Sequence, residues 1–421
     1  MKVVLCLAVV AFVAGTARAE TPLALADRAE QALRAGDKQG ALELLDLASQ
    51  ATPATAESED RIGFLFAVTG QATESLEHFR KALGIDPNYA GAHFHLGAAM
   101  FVSGDVAHSL PELQEAVRLA PNIFDYRYRL GSAYLRANDP AHAAAELKEA
   151  VALNATVAPA WATLGRALQG AGDLAGAVDA YARAIALDPA DDATRNDYAY
   201  LLIETRQADQ GIAESQKVLD HNASDTTAWM NIGYANLKKG EFGAAEKAYR
   251  QTLAIDPKSA AGHYDLAIAL KMQDQIDEAK KELETALQLE PTMVEAHYTL
   301  ALADWQLGDL KTAIEELRMA TAARPSYAAA HYMLGVILKQ NGDPDAATPE
   351  LREAIRLDPT TPGPWNTLGQ ILRIKGDLAG SKEAFATGAK LKADKDKELA
   401  NTLEQGMRGG MAPQPLPVAP K

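Results

Sequence analysis

Four histidines, His93, His263, His297 and His331, recur at multiples of 34 residues, a spacing that could stack imidazoles into a ladder able to hold a metal ion. The same column holds Trp161, Trp229 and Trp365, so each histidine reads instead as a flat ring filling a tryptophan's place. His93 and His95 stand two apart and so on different faces of a helix. The adjacent carboxylates Glu315 and Glu316 read as solvated helix charges. The segment GDLAGSK from Gly376 to Lys382 approximates a phosphate-binding loop, but it is one residue short and does not follow a strand. None of the patterns H-E-x-x-H, G-x-S-x-G or G-x-x-x-x-G-K-[ST] occurs. No nucleophile, base and orienting group can be nominated, so the reading is a non-enzyme with no catalytic, cofactor-binding or metal-ligating residues.

The spacing itself is the stronger signal. Pro53, Pro87, Pro121, Pro189, Pro257, Pro291, Pro325 and Pro359 are separated by 34 residues or twice that, with Ala155 and Ala223 in the two skipped slots. Ten residues after each slot stands a small residue, among them Gly63, Gly97, Gly131, Gly165, Ala199, Gly233 and Ala267. In residues 226–259, Trp229, Ile232 and Gly233 recur at helical spacing, Lys239-Gly240 interrupts, and Ala245, Ala248 and Tyr249 restart the pattern before Pro257. Each unit therefore reads as helix, turn, helix, turn. A turn glycine can take the positive φ that ends the first helix, and the Asp that often follows it can cap the second. No single pair buries its apolar face alone, so neighbouring pairs must stack.

These columns resemble the tetratricopeptide repeat, whose 34-residue pattern joins an aromatic, a Leu-Gly pair, a second aromatic, Ala, Phe and Pro. Residues 158–191 carry the clearest copy, with Trp161, Leu164, Gly165, Ala177, Tyr181, Ala184 and Pro189 in place. In this register eleven repeats cover residues 22–395, starting at 22, 56, 90, 124, 158, 192, 226, 260, 294, 328 and 362. The resemblance implies an all-α fold, an α-solenoid of helix-turn-helix repeats wound into a right-handed superhelix, used as a non-catalytic interaction scaffold. Residues 396–406 (DKELANTLEQG) are expected to form a capping helix, and 407–421 a flexible Gly- and Pro-rich tail. Repeat 192–225 departs furthest, with Arg206 for the turn glycine and Ser215 for a large residue, and is expected to be the soft point.

Composition limits the partner. Of 421 residues 48% are apolar, enough for a core, and 41 basic against 56 acidic side chains give a net charge of −15, which argues against nucleic acid. Residues 1–19 run from Lys2 through an apolar stretch, Val3 to Val13, to the small-x-small triplet Ala17-Arg18-Ala19. That is the pattern of a secretory signal peptide, too short to span a bilayer where about 20 apolar residues are needed. Cleavage before Glu20 would remove Cys6, the one cysteine, and leave an exported chain, periplasmic or secreted, with no membrane span.

In the family the first helix of each pair lines a concave groove. Carried onto this register, its inward columns contain Phe94, Tyr128, Tyr234, Tyr264, Tyr298 and Tyr332, followed by Lys238, Lys271, Trp305, Lys339 and Arg373. Aromatic anchors with cationic edges suit an extended peptide or protein partner, and these eleven residues are the candidate contacts. Tyrosine is also common at such positions simply because its ring packs on the next pair. An acidic polysaccharide, stacked on the tyrosines and paired with the cations, is the alternative use of the same surface.

Overall fold

The computed structural model describes residues 20–409. The expected signal peptide lies outside the described residues, as does the expected tail 407–421 from residue 410 onward, whereas residues 407–409 are helical. Among the described residues there are twenty-two helices and no strand. They are α1 (Pro22–Arg34), α2 (Lys38–Gln50), α3 (Ala56–Thr69), α4 (Ala72–Ile85), α5 (Ala90–Val102), α6 (Val106–Leu119), α7 (Phe124–Arg136) and α8 (Pro140–Leu153). Next come α9 (Ala158–Gly170), α10 (Leu174–Leu187), α11 (Asp192–Glu204), α12 (Ala208–His221), α13 (Thr226–Lys239), α14 (Phe242–Ile255) and α15 (Ala260–Lys271). The last are α16 (Ile276–Leu289), α17 (Val294–Leu307), α18 (Leu310–Ala323), α19 (Ala328–Gln340), α20 (Pro344–Leu357), α21 (Pro362–Ile374) and α22 (Leu378–Gly409). None of them is long and apolar enough to cross a membrane.

Each turn between the helices of a pair passes through the left-handed region. Glycine occupies that position at eight turns, with φ between 77° and 89°. Asn138, Arg206 and Asp274 hold it elsewhere, at φ 59°, 64° and 63°. The second helix is then capped by an aspartate where one follows, as when Asp173 accepts from the Gly176 N–H at 3.0 Å and Asp377 from Gly380 at 2.8 Å. An L-residue in the left-handed region costs about 1–2 kcal/mol, against a smaller entropic cost for glycine. Arg206→Gly is therefore expected to raise stability by about 0.5–1 kcal/mol, read as a higher urea midpoint with an unchanged slope.

Packing follows the small and large columns. Gly165 of α9 lies against the Tyr181 ring of α10, and Gly233 of α13 against the Tyr249 ring of α14. Tyr181, Tyr249 and Phe79 are the bulkiest side chains sealed from solvent. Small residues on one helix let the second approach until such rings fill the space beside it. The two helices of a hairpin pack most extensively on each other, and second helices pack next on the first helix of the following pair.

The chain divides into two compact units, one ending at Leu201 and the other beginning at Leu202. The division falls inside the divergent repeat 192–225, where the Ser215 hydroxyl is buried and makes no hydrogen bond.

Residues 396–406 are helical, but not as a separate cap. They continue α22 without a break, and residues 392–398 are exposed, so this stretch does not fold back over the last pair. Lys392-Ala393 offers neither the proline of most slots nor the asparagine of Asn154-Ala155 and Asn222-Ala223, whose side chain turns the chain by accepting from the N–H two residues on. The flanking Lys, Leu, Ala and Glu are good helix formers, so nothing stops the helix.

Candidate functional site

The histidine column hydrogen-bonds a column of glutamates. His93, His263, His297 and His331 each direct Nδ1 at a glutamate nineteen residues on, Glu112, Glu282, Glu316 and Glu350, at 2.6–2.7 Å. Their Nε2 atoms meet the carbonyls of Pro87, Pro257, Pro291 and Pro325 at 3.0–3.2 Å. A carbonyl only accepts, so Nε2 carries hydrogen and Nδ1 is left facing the carboxylate. Each ring clamps the preceding turn to the second helix, and the Glu316 hydrogen bond holds the His297 imidazole above its ordinary value. Trp161, Trp229 and Trp365 donate Nε1–H to the corresponding carbonyls of Ala155, Ala223 and Pro359. Arg127 donates to both the Pro121 carbonyl and Glu146.

The column therefore supplies an N–H donor, not merely a flat ring. Its partner column follows suit, with Glu opposite the histidines and Arg127, and Ala180, Ala248 and Ala384 opposite the tryptophans. Glu59 and His78 make the same bond with the roles exchanged, at 2.6 Å. Glu316 is thus a buried-face partner of His297, not a solvated charge, a correction of the expectation from its neighbour Glu315. Among the described residues no three His, Cys, Asp or Glu side chains are grouped to hold a metal ion. The phosphate-loop lookalike is an ordinary turn, with Gly376 at φ 84° and Ser381 Oγ donating to the Gly369 carbonyl at 2.8 Å.

On the first helices of the N-terminal unit, Phe94 is half-buried and stacks on Tyr126 with centroids 4.5 Å apart. Tyr128 stacks on Phe124 at 5.6 Å and packs against the core of repeat 158–191. Both rings serve packing between neighbouring pairs.

In the C-terminal unit the candidates sort into two groups. Tyr234 donates its hydroxyl to the Glu204 carboxylate, while Lys238 lies 5.0 Å over the Tyr234 ring and 3.4 Å from Glu204. The Tyr234 hydrogen bond, joined by Lys238, holds Glu204 below the usual carboxylate range. Tyr298 packs at 5.2 Å on Tyr327, and the Tyr332 ring and hydroxyl lie against Gly363 of the next repeat. Burial pushes the Tyr264 and Tyr298 hydroxyls up. These tyrosines are half-buried between repeats rather than displayed as an open ladder. Asp265, beside Tyr264, is pushed up to about 6 by burial.

The second group faces outward. Lys271, Trp305, Lys339 and Arg373 occupy one column of successive first helices. Trp305 is 37% exposed and donates Nε1–H to Gln340 at 2.7 Å, and Lys339 donates to Gln370 at 2.5 Å. Lys271, Lys339 and Arg373 have no carboxylate partner among the described residues. Burial pushes the Lys271 amine down. Lys271, Leu302, Trp305, Gln306 and Gln340 line a cavity of about 450 Å³. The sequence reading missed Gln306 and Gln340, although they directly follow Trp305 and Lys339 and so extend the cationic column on its polar side.

Among curated proteins no relative matches the chain. Among solved structures, the crystal structure of MamA is 26% identical, covering 39% of this chain and 97% of its own at a TM-score of 0.38. Yeast Tom70 is 16% identical and covers 91% of this chain and 96% of its own at 0.49. YrrB, described as a TPR protein with an unusual peptide-binding site, is 23% identical and covers 43% of this chain and 94% of its own at 0.36. A family model described as tetratricopeptide repeat matches residues 101–158, 196–260, 264–328 and 298–362. Related models of the same repeat match 65–104, 158–191 and 236–288. With matches over more than half of its length and helix pairs recurring in the same register, the chain belongs to the tetratricopeptide repeat family.

Proposed function

We propose that this chain is an exported, non-catalytic scaffold that holds an extended segment of a partner protein against the first-helix face of its C-terminal unit. The observation that carries this reading is the column Lys271, Trp305, Lys339 and Arg373. It places an exposed indole among three cations that lack a carboxylate partner among the described residues, in a chain of net charge −15. Unpaired cations on an acidic protein invite an acidic partner, and an indole at the centre of such a surface is a frequent energetic anchor. The glutamines 306, 340 and 370 supply adaptable hydrogen bonds for a peptide backbone. The apolar run of residues 3–13 ending in Ala17-Arg18-Ala19 supports export.

Crosslinked capture from host envelope extract, comparing parent with Trp305→Ala and with Lys271→Glu combined with Lys339→Glu, tests the reading. Both variants should be as helical as the parent. Trp305→Ala is expected to weaken the specific partner by about 2 kcal/mol, roughly thirtyfold. The charge reversal should slow its association at low salt. Retention of the same partners by both variants would place binding elsewhere.

A further inference from the structure

We propose that the N-terminal unit contains a second binding site, for an amphipathic monocarboxylate: a hydrocarbon chain ending in one anionic head. The site is a cleft of about 550 Å³ among α3, α4 and α5, with Arg129 of α7 in its wall. Its volume falls in the range of about 300–1,000 Å³ common to small-molecule sites. Phe64, Phe79, Phe94, Ala98 and Val102 make the wall largely hydrocarbon. Phe64 is 38% and Val102 73% exposed, so a folded chain leaves apolar surface in water that an occupant would cover.

Two polar groups of this cleft are unengaged, the Ser75 hydroxyl, which is buried and makes no hydrogen bond, and the Arg129 guanidinium. His95 is bonded to Asp60 at 2.8 Å, and the Ser103 hydroxyl donates to the Met100 carbonyl at 2.8 Å. Arg129 has no hydrogen bond or ion pair among the described residues, its Nε is buried without an acceptor, and its guanidinium rests 5.5 Å from the Phe101 ring. A planar fork of donors beside an apolar wall matches a carboxylate. An extended peptide fits less well. The cleft is walled by helices whose backbone groups bond internally, and its apolar face offers nothing to the peptide's amides, which would lose water without replacement. A hydrocarbon chain has no such groups. This site lies in the other unit from the column assigned to the protein partner and does not depend on it.

Calorimetric titration of the full chain with octanoate, and separately with octan-1-ol, tests the assignment. Octanoate is expected to bind with one site per chain. Arg129→Gln should weaken octanoate by about tenfold while leaving octan-1-ol unchanged, since a charge-assisted contact alone is removed. Ala98→Phe should fill the cleft and abolish both, and Val102→Trp at the exposed rim serves the same purpose if Ala98→Phe proves less helical. The proposal fails if octanoate does not bind, if Arg129→Gln binds it as well as the parent, or if an acetylated peptide ending in leucine binds while octanoate does not.

Discussion

Gly233→Ala is expected to destabilise the C-terminal unit by about 1–3 kcal/mol. A Cβ at that position would stand 2.4 Å from the Tyr249 ring, so α13 and α14 would have to separate or the ring would have to leave its rotamer. The ring has no room to yield, because Tyr249 is fully buried and its hydroxyl makes no hydrogen bond. Every aromatic in this column faces glycine: Phe79 lies on Gly63, Tyr181 on Gly165, Tyr249 on Gly233 and Phe385 on Gly369. Where alanine occupies the small column the large column holds no aromatic, with Leu45, Leu283 and Leu317 opposite Ala29, Ala267 and Ala301, and Ser215 opposite Ala199. Adding Tyr249→Leu to Gly233→Ala should therefore recover much of the loss, although Tyr249→Leu alone leaves a void and costs stability. Amide exchange in α13 and α14 is the measurement, since adjacent repeats of a solenoid unfold with partial independence. Equal protection in parent and Gly233→Ala, or no interaction between the two substitutions, would show that the helices adjust freely.

The fold was legible because its determinants are local and repeated. Glycine turns, aspartate caps and the small column act within one hairpin, and stacking copies the same solution along the chain. The boundary at residue 396 was misread because the decisive feature is an absence, Lys392-Ala393 lacking both the proline and the turn-forming asparagine that end the other second helices at alanine slots. Which cations face a partner was not legible. Lys238 and Lys271 look alike in sequence, but Glu204 reaches Lys238 and no carboxylate among the described residues pairs with Lys271. That outcome depends on side chains thirty or more positions away and on which neighbour is acidic. The pairing of Glu with His or Arg, and of Ala with Trp, was present in the sequence. Reading it required comparing two columns nineteen residues apart rather than inspecting each for its own chemistry.

That pairing makes the second large prediction. His297→Trp with Glu316 left in place should cost about 1.5–3 kcal/mol, because a charged hydrogen bond is lost and a carboxylate on the inner face is left unpaired. Glu316→Ala in the same background recreates the combination of Trp161 with Ala180 and should restore most of the loss. A double-mutant cycle measures the interaction directly.

The same pair should respond to pH, and the direction is fixed by its geometry. The Glu316 hydrogen bond, helped by the Pro291 carbonyl and opposed by burial, holds the His297 imidazole above its ordinary value of 6.5. A group whose pKa is higher folded than unfolded contributes its full stabilisation below the unfolded value and loses it as pH rises through the folded value. Above that value Nδ1 gives up its hydrogen and presents a lone pair to the Glu316 carboxylate, while Nε2 still holds the Pro291 carbonyl. The parent should thus lose stability relative to the double variant His297→Trp, Glu316→Ala as pH rises above 6.5 and through the raised value of the folded imidazole. Asp265, pushed up to about 6, completes most of its titration below that window and is common to both proteins, so it cancels in the difference. A pH-independent difference between the two would show that the pair holds the turn through a neutral imidazole and a protonated carboxyl, which the two acceptor contacts on the ring argue against.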